Sequence, residues 1–168
     1  RIARAAFAVG EVVLAGVLLT HEGHARGALD AHAWFALAAW AWTQAGAPPM
    51  GFQGPRLEND VFVSFDGARL GLTRWEAEGE PQAVVVALHG MNDYANAFHL
   101  AAPYWAKNSV TTYAFDQRGF GRSPNRGIWG GDDLMSEDLR TITAVVHKQH
   151  PGVPLIVAGE SMGGAVAI

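Results

Sequence analysis

Six consecutive apolar residues, Ala83-Val84-Val85-Val86-Ala87-Leu88, constrain this chain more than any other feature. Side chains along a strand alternate between faces, so a run that is apolar at every position needs cover on both sides. That is the interior of a parallel sheet with helices above and below it. Two further segments repeat the pattern, residues 110–115 ending at Asp116 and residues 154–158 ending at Gly159. Between the first two lies helix-compatible spacing over residues 95–107. After Ser136, a candidate helix cap, Leu139, Ile142, Val145 and Val146 recur at three- and four-residue intervals, and Pro151-Gly152 ends that helix. Ahead of the run, residues 61–65 and 69–75 flank Asp66-Gly67, a dipeptide that supplies positive φ to a tight hairpin. A hairpin followed by strand-helix repeats predicts an α/β fold with a mainly parallel sheet.

With 49% hydrophobic and 17% charged residues in 168, the chain has enough apolar surface for a core. Its formal net charge of -4 is spread without like-charge blocks, which argues against a nucleic-acid partner. The absence of cysteine excludes a disulfide framework, a thiolate nucleophile and a Cys-based zinc site. Residues 1–45 differ in character. Arg1 and Arg4 open an apolar stretch that Glu11 interrupts, shorter than the roughly 20 residues of a membrane span. This segment has the look of a signal or anchor, with small residues near 43–47 suited to cleavage, and predicts export or membrane association through the N-terminus. The alternative is a buried or amphipathic helix pair. Residues 46–59, with three Pro and three Gly in their first ten positions, predict a linker before a folded domain at 60–168.

Gly159-Glu160-Ser161-Met162-Gly163 matches G-x-S-x-G, with an apolar strand before it and small residues that open a helix after it. In that setting Ser161 sits on a strained strand-to-helix turn as a candidate nucleophile, and Gly159 and Gly163 avoid collisions with neighbouring backbone. The backbone amides of Met91 and Met162 are candidate donors to an oxyanion. His89 and Gly90 end the first apolar run, where the histidine is expected to hold the turn rather than transfer protons. Asp116 and Arg118 can pair and brace the next loop. Gly119-Phe120-Gly121 lacks the full dinucleotide pattern and the P-loop lysine, so nucleotide binding is rejected. Asp132, Asp133, Glu137 and Asp138 suit the start of a helix better than a metal. His99, His147 and His150 read as solvated surface residues, and His21, His24 and His32 have no recognised ligand spacing, so no metal or cofactor is expected.

Taken in order, LHGMNDYANAF, DQRGFGRS and GESMGG resemble the α/β-hydrolase superfamily, and within it the monoacylglycerol lipase, lysophospholipase and serine aminopeptidase S33-like branch. The resemblance covers residues 60–168. It implies Ser161 as nucleophile, Met91 and Met162 as oxyanion donors, and an acid and a histidine that follow the serine in the chain. The sequence given stops seven residues beyond Ser161, so on this resemblance the triad Asp and His are not in this chain. The fold is then truncated after the nucleophile elbow, and the isolated chain is expected to be nearly inactive. The implied activity of the intact protein is hydrolysis of a small-molecule or lipid carboxylic ester through an acyl-enzyme. An S33-type peptidase or amidase is the second enzymatic reading, and a non-catalytic module of the same fold is the reading from another class.

Overall fold

The computed structural model describes residues 48–168, and the hydrophobic segment expected at 1–45 lies outside them. Among the described residues one sheet contains β1 (Arg56–Leu57), β2 (Val61–Val63), β3 (Arg69–Trp75), β4 (Ala83–Leu88), β5 (Val110–Phe115) and β6 (Leu155–Gly159). Their spatial order is β1-β2-β3-β5-β4-β6. β1 to β3 form an antiparallel meander, and β3 also meets β5 antiparallel. β5, β4 and β6, the strands built from the apolar runs, lie parallel to one another. The α/β architecture is as expected, with a parallel block that carries an N-terminal hairpin at its side.

The central run is apolar at every position because both of its faces are covered. Val84, Val86 and Leu88 join Phe62, Leu72 and Phe115 against Ile142 and Val146 of α2 (Asp132–Gln149). Val85 and Ala87 face the other way, toward Ala95 and Phe98 of a 3-10 turn (Ala95–Phe98) and Trp105 of α1 (Ala101–Lys107). A short α3 (Met162–Val166) follows β6 at once. Among the described residues no helix is long and apolar enough to cross a membrane.

Three boundaries differ from expectation. Residues 46–59 are not merely a linker, because Arg56 and Leu57 pair with Val63 and Phe62, and Leu57 packs on the core. The expected helix over 95–107 is two pieces. Pro103 has no N–H to give the His99 carbonyl, so a continuous helix cannot pass that point, and α1 places the proline in its first turn. α2 starts at Asp132 rather than at Ser136, with Gly131 as its N-cap at φ 87° and no capping side chain. Asp132 and Asp133 sit in the first turn, where the helix dipole favours them.

Candidate active site

The turn between β6 and α3 is held by close backbone approaches. Ser161 has φ 49° and ψ -112°, a conformation in which a side chain is strained by about 1–3 kcal/mol. Glycines on either side let the chain turn this sharply. A Cβ on Gly159 would stand 2.5 Å from the carbonyl of Gly163, and one on Gly163 would stand 2.4 Å from the Leu88 carbonyl oxygen of β4. The Glu160 N–H donates to that same Leu88 carbonyl at 3.0 Å, tying the turn to the central strand. Ser161 therefore stands at the mouth of α3, pressed toward the end of β4.

What it meets there is the loop after β4. A Cβ on Gly90 would lie 3.5 Å from the Ser161 Cβ, so the His89-Gly90-Met91 segment passes directly beside the serine. His89 is fully buried and both ring nitrogens are engaged. The Gln117 N–H donates to Nε2 at 2.9 Å, which requires Nε2 to be unprotonated, and Nδ1–H then donates to the Gly90 carbonyl at 2.8 Å. Burial pushes the His89 pKa down, more than the Gly90 hydrogen bond and the nearby carboxylates raise it. The ring packs edge-on to Phe120 at 5.5 Å. With Nε2 accepting and Nδ1–H donating, His89 sits in the turn as a neutral imidazole. Among the described residues neither the Met91 nor the Met162 amide donates to a backbone carbonyl. Met162 follows Ser161 directly, and Met91 follows Gly90, the residue that packs beside the serine.

The loop after β5 is braced differently from expectation. Asp116 and Arg118 do not pair. Asp116 is fully buried and accepts from the Ala95 N–H at 2.7 Å, the Arg122 N–H at 2.8 Å and Arg122 Nε at 2.9 Å. It lies so close to β3 that only a glycine fits at Gly71, where a Cβ would be 2.4 Å from the carboxylate. Arg118 turns the other way and clamps two carboxylates, Asp138 of α2 at 2.6 and 2.8 Å and Asp66 of the hairpin turn at 2.8 and 2.9 Å. Asp138 also accepts from the Ser64 hydroxyl. Burial works against the charge of Arg118, but the hydrogen bonds to Asp138 and Asp66 outweigh it and hold the guanidinium firmly protonated. Asp138 was read as a helix-start residue; it is instead a buried partner of the loop, because α2 begins earlier and points its second turn inward. Arg122, Asp66 and Gln117 were missed as members of these braces, since nothing local in the sequence marks which loop residue will meet which distant partner.

A family model described as "Serine aminopeptidase, S33" matches residues 79–168, more than half of the chain. The chain belongs to the serine aminopeptidase S33 family. Among curated relatives of this S33 chain, monoacylglycerol lipase of Mycolicibacterium smegmatis is 34% identical over 106 residues, covering 62% of this chain and 38% of that protein. Monoglyceride lipase of Rattus norvegicus is 29% identical over 107 residues, covering 63% and 35%. The S33 chain thus spans well under half the length of these relatives. Among solved structures, a soluble variant of monoglyceride lipase from Saccharomyces cerevisiae in complex with a substrate analogue aligns with TM-score 0.55 and 26% identity, over 70% of this chain and 40% of that one. A thermostable carboxyl esterase from Bacillus coagulans in complex with glycerol aligns with TM-score 0.57 at 24% identity, over 64% and 37%, and shares the fold. The fold of the S33 chain is therefore that of the α/β-hydrolases.

Proposed function

We propose that the protein carrying this chain is a serine hydrolase that cleaves carboxylic esters of monoacylglycerol or lysophospholipid type through an acyl-enzyme on Ser161. The observation that carries this reading is Ser161 itself. It is a non-glycine residue held at φ 49° between the end of parallel strand β6 and a helix start, with Gly90 against it. A serine kept in a glycine-like conformation costs stability, and such strain gathers where a side chain must be presented. In the proposed reaction Ser161 Oγ attacks the ester carbonyl carbon and gives its proton to a base. The tetrahedral oxyanion is met by the Met91 and Met162 N–H groups, the base passes the proton to the leaving alcohol as its C–O bond breaks, and water then attacks the acyl carbon, releasing the acid and returning a proton to Ser161 Oγ. Among the described residues no histidine is hydrogen-bonded to Ser161, and His89 has both nitrogens committed. On this reading the acid and base are supplied by residues other than the described ones. The names of the curated relatives and the esterase neighbour support an ester over an amide.

The description of the matching family favours a second reading, cleavage of a peptide or amide at a free N-terminus. Both share the serine, so one experiment tests the common part. The protein expressed from its uninterrupted gene is treated with a fluorophosphonate probe, and the modified residue is mapped by mass spectrometry. Labelling at Ser161, lost in Ser161→Ala, is expected, together with a fall in ester hydrolysis of about 10⁴-fold or more. A folded protein that does not label leaves the non-catalytic module as the better reading. Comparing a monoacylglycerol with an aminoacyl amide then separates esterase from peptidase.

A further inference from the structure

Gln117 follows Asp116 at the end of β5 and is 1% exposed. It grips His89 at both ends. Its backbone N–H donates to His89 Nε2 at 2.9 Å, and its side-chain Nε2 donates to the His89 carbonyl at 2.8 Å. Its remaining polar atom, Oε1, is buried with no hydrogen-bond partner among the described residues. An orphaned buried acceptor costs about as much as one neutral hydrogen bond returns, so the amide adds little net stability. Its effect lies in geometry.

The groups it holds define that geometry. The Gly90 carbonyl is fixed by His89 Nδ1–H at 2.8 Å and by the Asp93 N–H at 3.3 Å. That carbonyl and the Met91 N–H belong to one planar trans peptide, so holding the oxygen aims the N–H the opposite way. The preceding peptide, from His89 to Gly90, is held through the His89 carbonyl by Gln117. Of the two successive peptide planes beside Ser161, the first is thus held directly from the neighbouring strand end, and the second is held within the loop by Asp93 and by a His89 ring that Gln117 fixes.

We propose that Gln117 is a positioning residue for the oxyanion donor at Met91, acting through His89. The proposal rests on the serine-hydrolase reading above. The Gln117 backbone N–H selects the Nδ1–H form of the imidazole, and its side-chain amide holds the carbonyl of the same histidine. Without the amide, the 89–91 segment can rotate and the Met91 N–H meets the developing oxyanion at a poorer angle. That loss falls in the transition state and leaves substrate binding nearly unchanged.

The test uses Gln117→Met, which keeps length and bulk but removes the donor, and Gln117→Glu at neutral pH as an independent second variant. Both are made in the protein expressed from its uninterrupted gene. Active sites are counted with the fluorophosphonate probe, hydrolysis of a soluble chromogenic ester is followed, and melting is recorded. Removing an oxyanion donor outright costs about 10²–10³ in kcat, and misaiming one should cost less, roughly 10- to 100-fold. The expected result is that fall in kcat per titrated site, with KM within about twofold, the pH profile of kcat/KM in place and melting of the Met variant unchanged. Unchanged kcat per site in either folded variant overturns the proposal. So does a loss of titratable sites or of folding in both variants, which assigns Gln117 a structural role alone. If Ser161→Ala retains hydrolysis, the serine reading itself has failed; if it abolishes hydrolysis while Gln117→Met does not reduce kcat, only the positioning role has.

Discussion

Two loops leave the sheet on either side of β4, and they are held by opposite means. The β6 turn that presents Ser161 depends on missing side chains, because Gly159 and Gly163 let backbone approach backbone where a methyl group would collide. The loop after β5 depends on side chains that are present, with Arg118 bridging Asp66 to Asp138 and Asp116 taking three N–H groups. The first is a steric device and should respond to volume. The second is an electrostatic device and should respond to charge and pH. His89 lies between them, tied to the loop after β5 through Gln117 and to the Gly90 turn through its own ring.

The largest effect is expected at Arg118. Arg118→Met leaves the fully buried Asp138 without its counter-ion, and unfolding in denaturant should show a loss of about 3–5 kcal/mol. A loss below 1 kcal/mol would mean that the loop is not held by charge. Gly163→Ala should cost about 1–3 kcal/mol, with no salt dependence, and should slow probe labelling at Ser161 at least tenfold. A neutral result would break the steric half of the comparison. pH probes the residue between the two loops. Burial holds the folded pKa of His89 below its unfolded value of about 6.5. Between those two values the unfolded chain binds a proton that the folded chain refuses. Stability should therefore fall as pH drops below about 6.5, by up to roughly 1.4 kcal/mol per unit, and level off below the folded pKa. Melting at pH 7.5 and 5.5 should show this loss, and His89→Asn should be without it. The smallest effect has the opposite sign. Ser161→Gly relieves a strained φ and should raise stability by about 1 kcal/mol while abolishing labelling.

The same contrast explains what could be read from residues alone. β3, β4 and β5 have the boundaries expected from pattern, because consecutive apolar residues and a turn dipeptide are local signals of burial on both faces. The elbow was equally legible, since its steric demands are met by residues within two positions of Ser161. The braces were not. Arg118 finds Asp66 across 52 residues and Asp138 across 20, and Asp116 takes Arg122 instead of its nearer neighbour. Those choices depend on which way each side chain leaves the strand end after the layers dock, and charge pairing by proximity in sequence cannot supply that. The early start of α2 was missed for a related reason: its first turn is supported by two aspartates and a glycine conformation rather than by a capping hydroxyl.

The register of the parallel block has a further consequence. Leu88 of β4 stands opposite both Phe115 of β5 and Gly159 of β6, so all three loops depart from one line across the sheet. Neighbouring strands lie about 4.8 Å apart whatever their loops contain. The sheet therefore works as a ruler, fixing the spacing between the serine and the loop beside it by main-chain hydrogen bonds. Loop side chains can be exchanged to alter what the site accepts without changing that spacing. A single-residue deletion inside β4 would instead slide its loop by about 3.3 Å and turn every later side chain of that strand to the opposite layer.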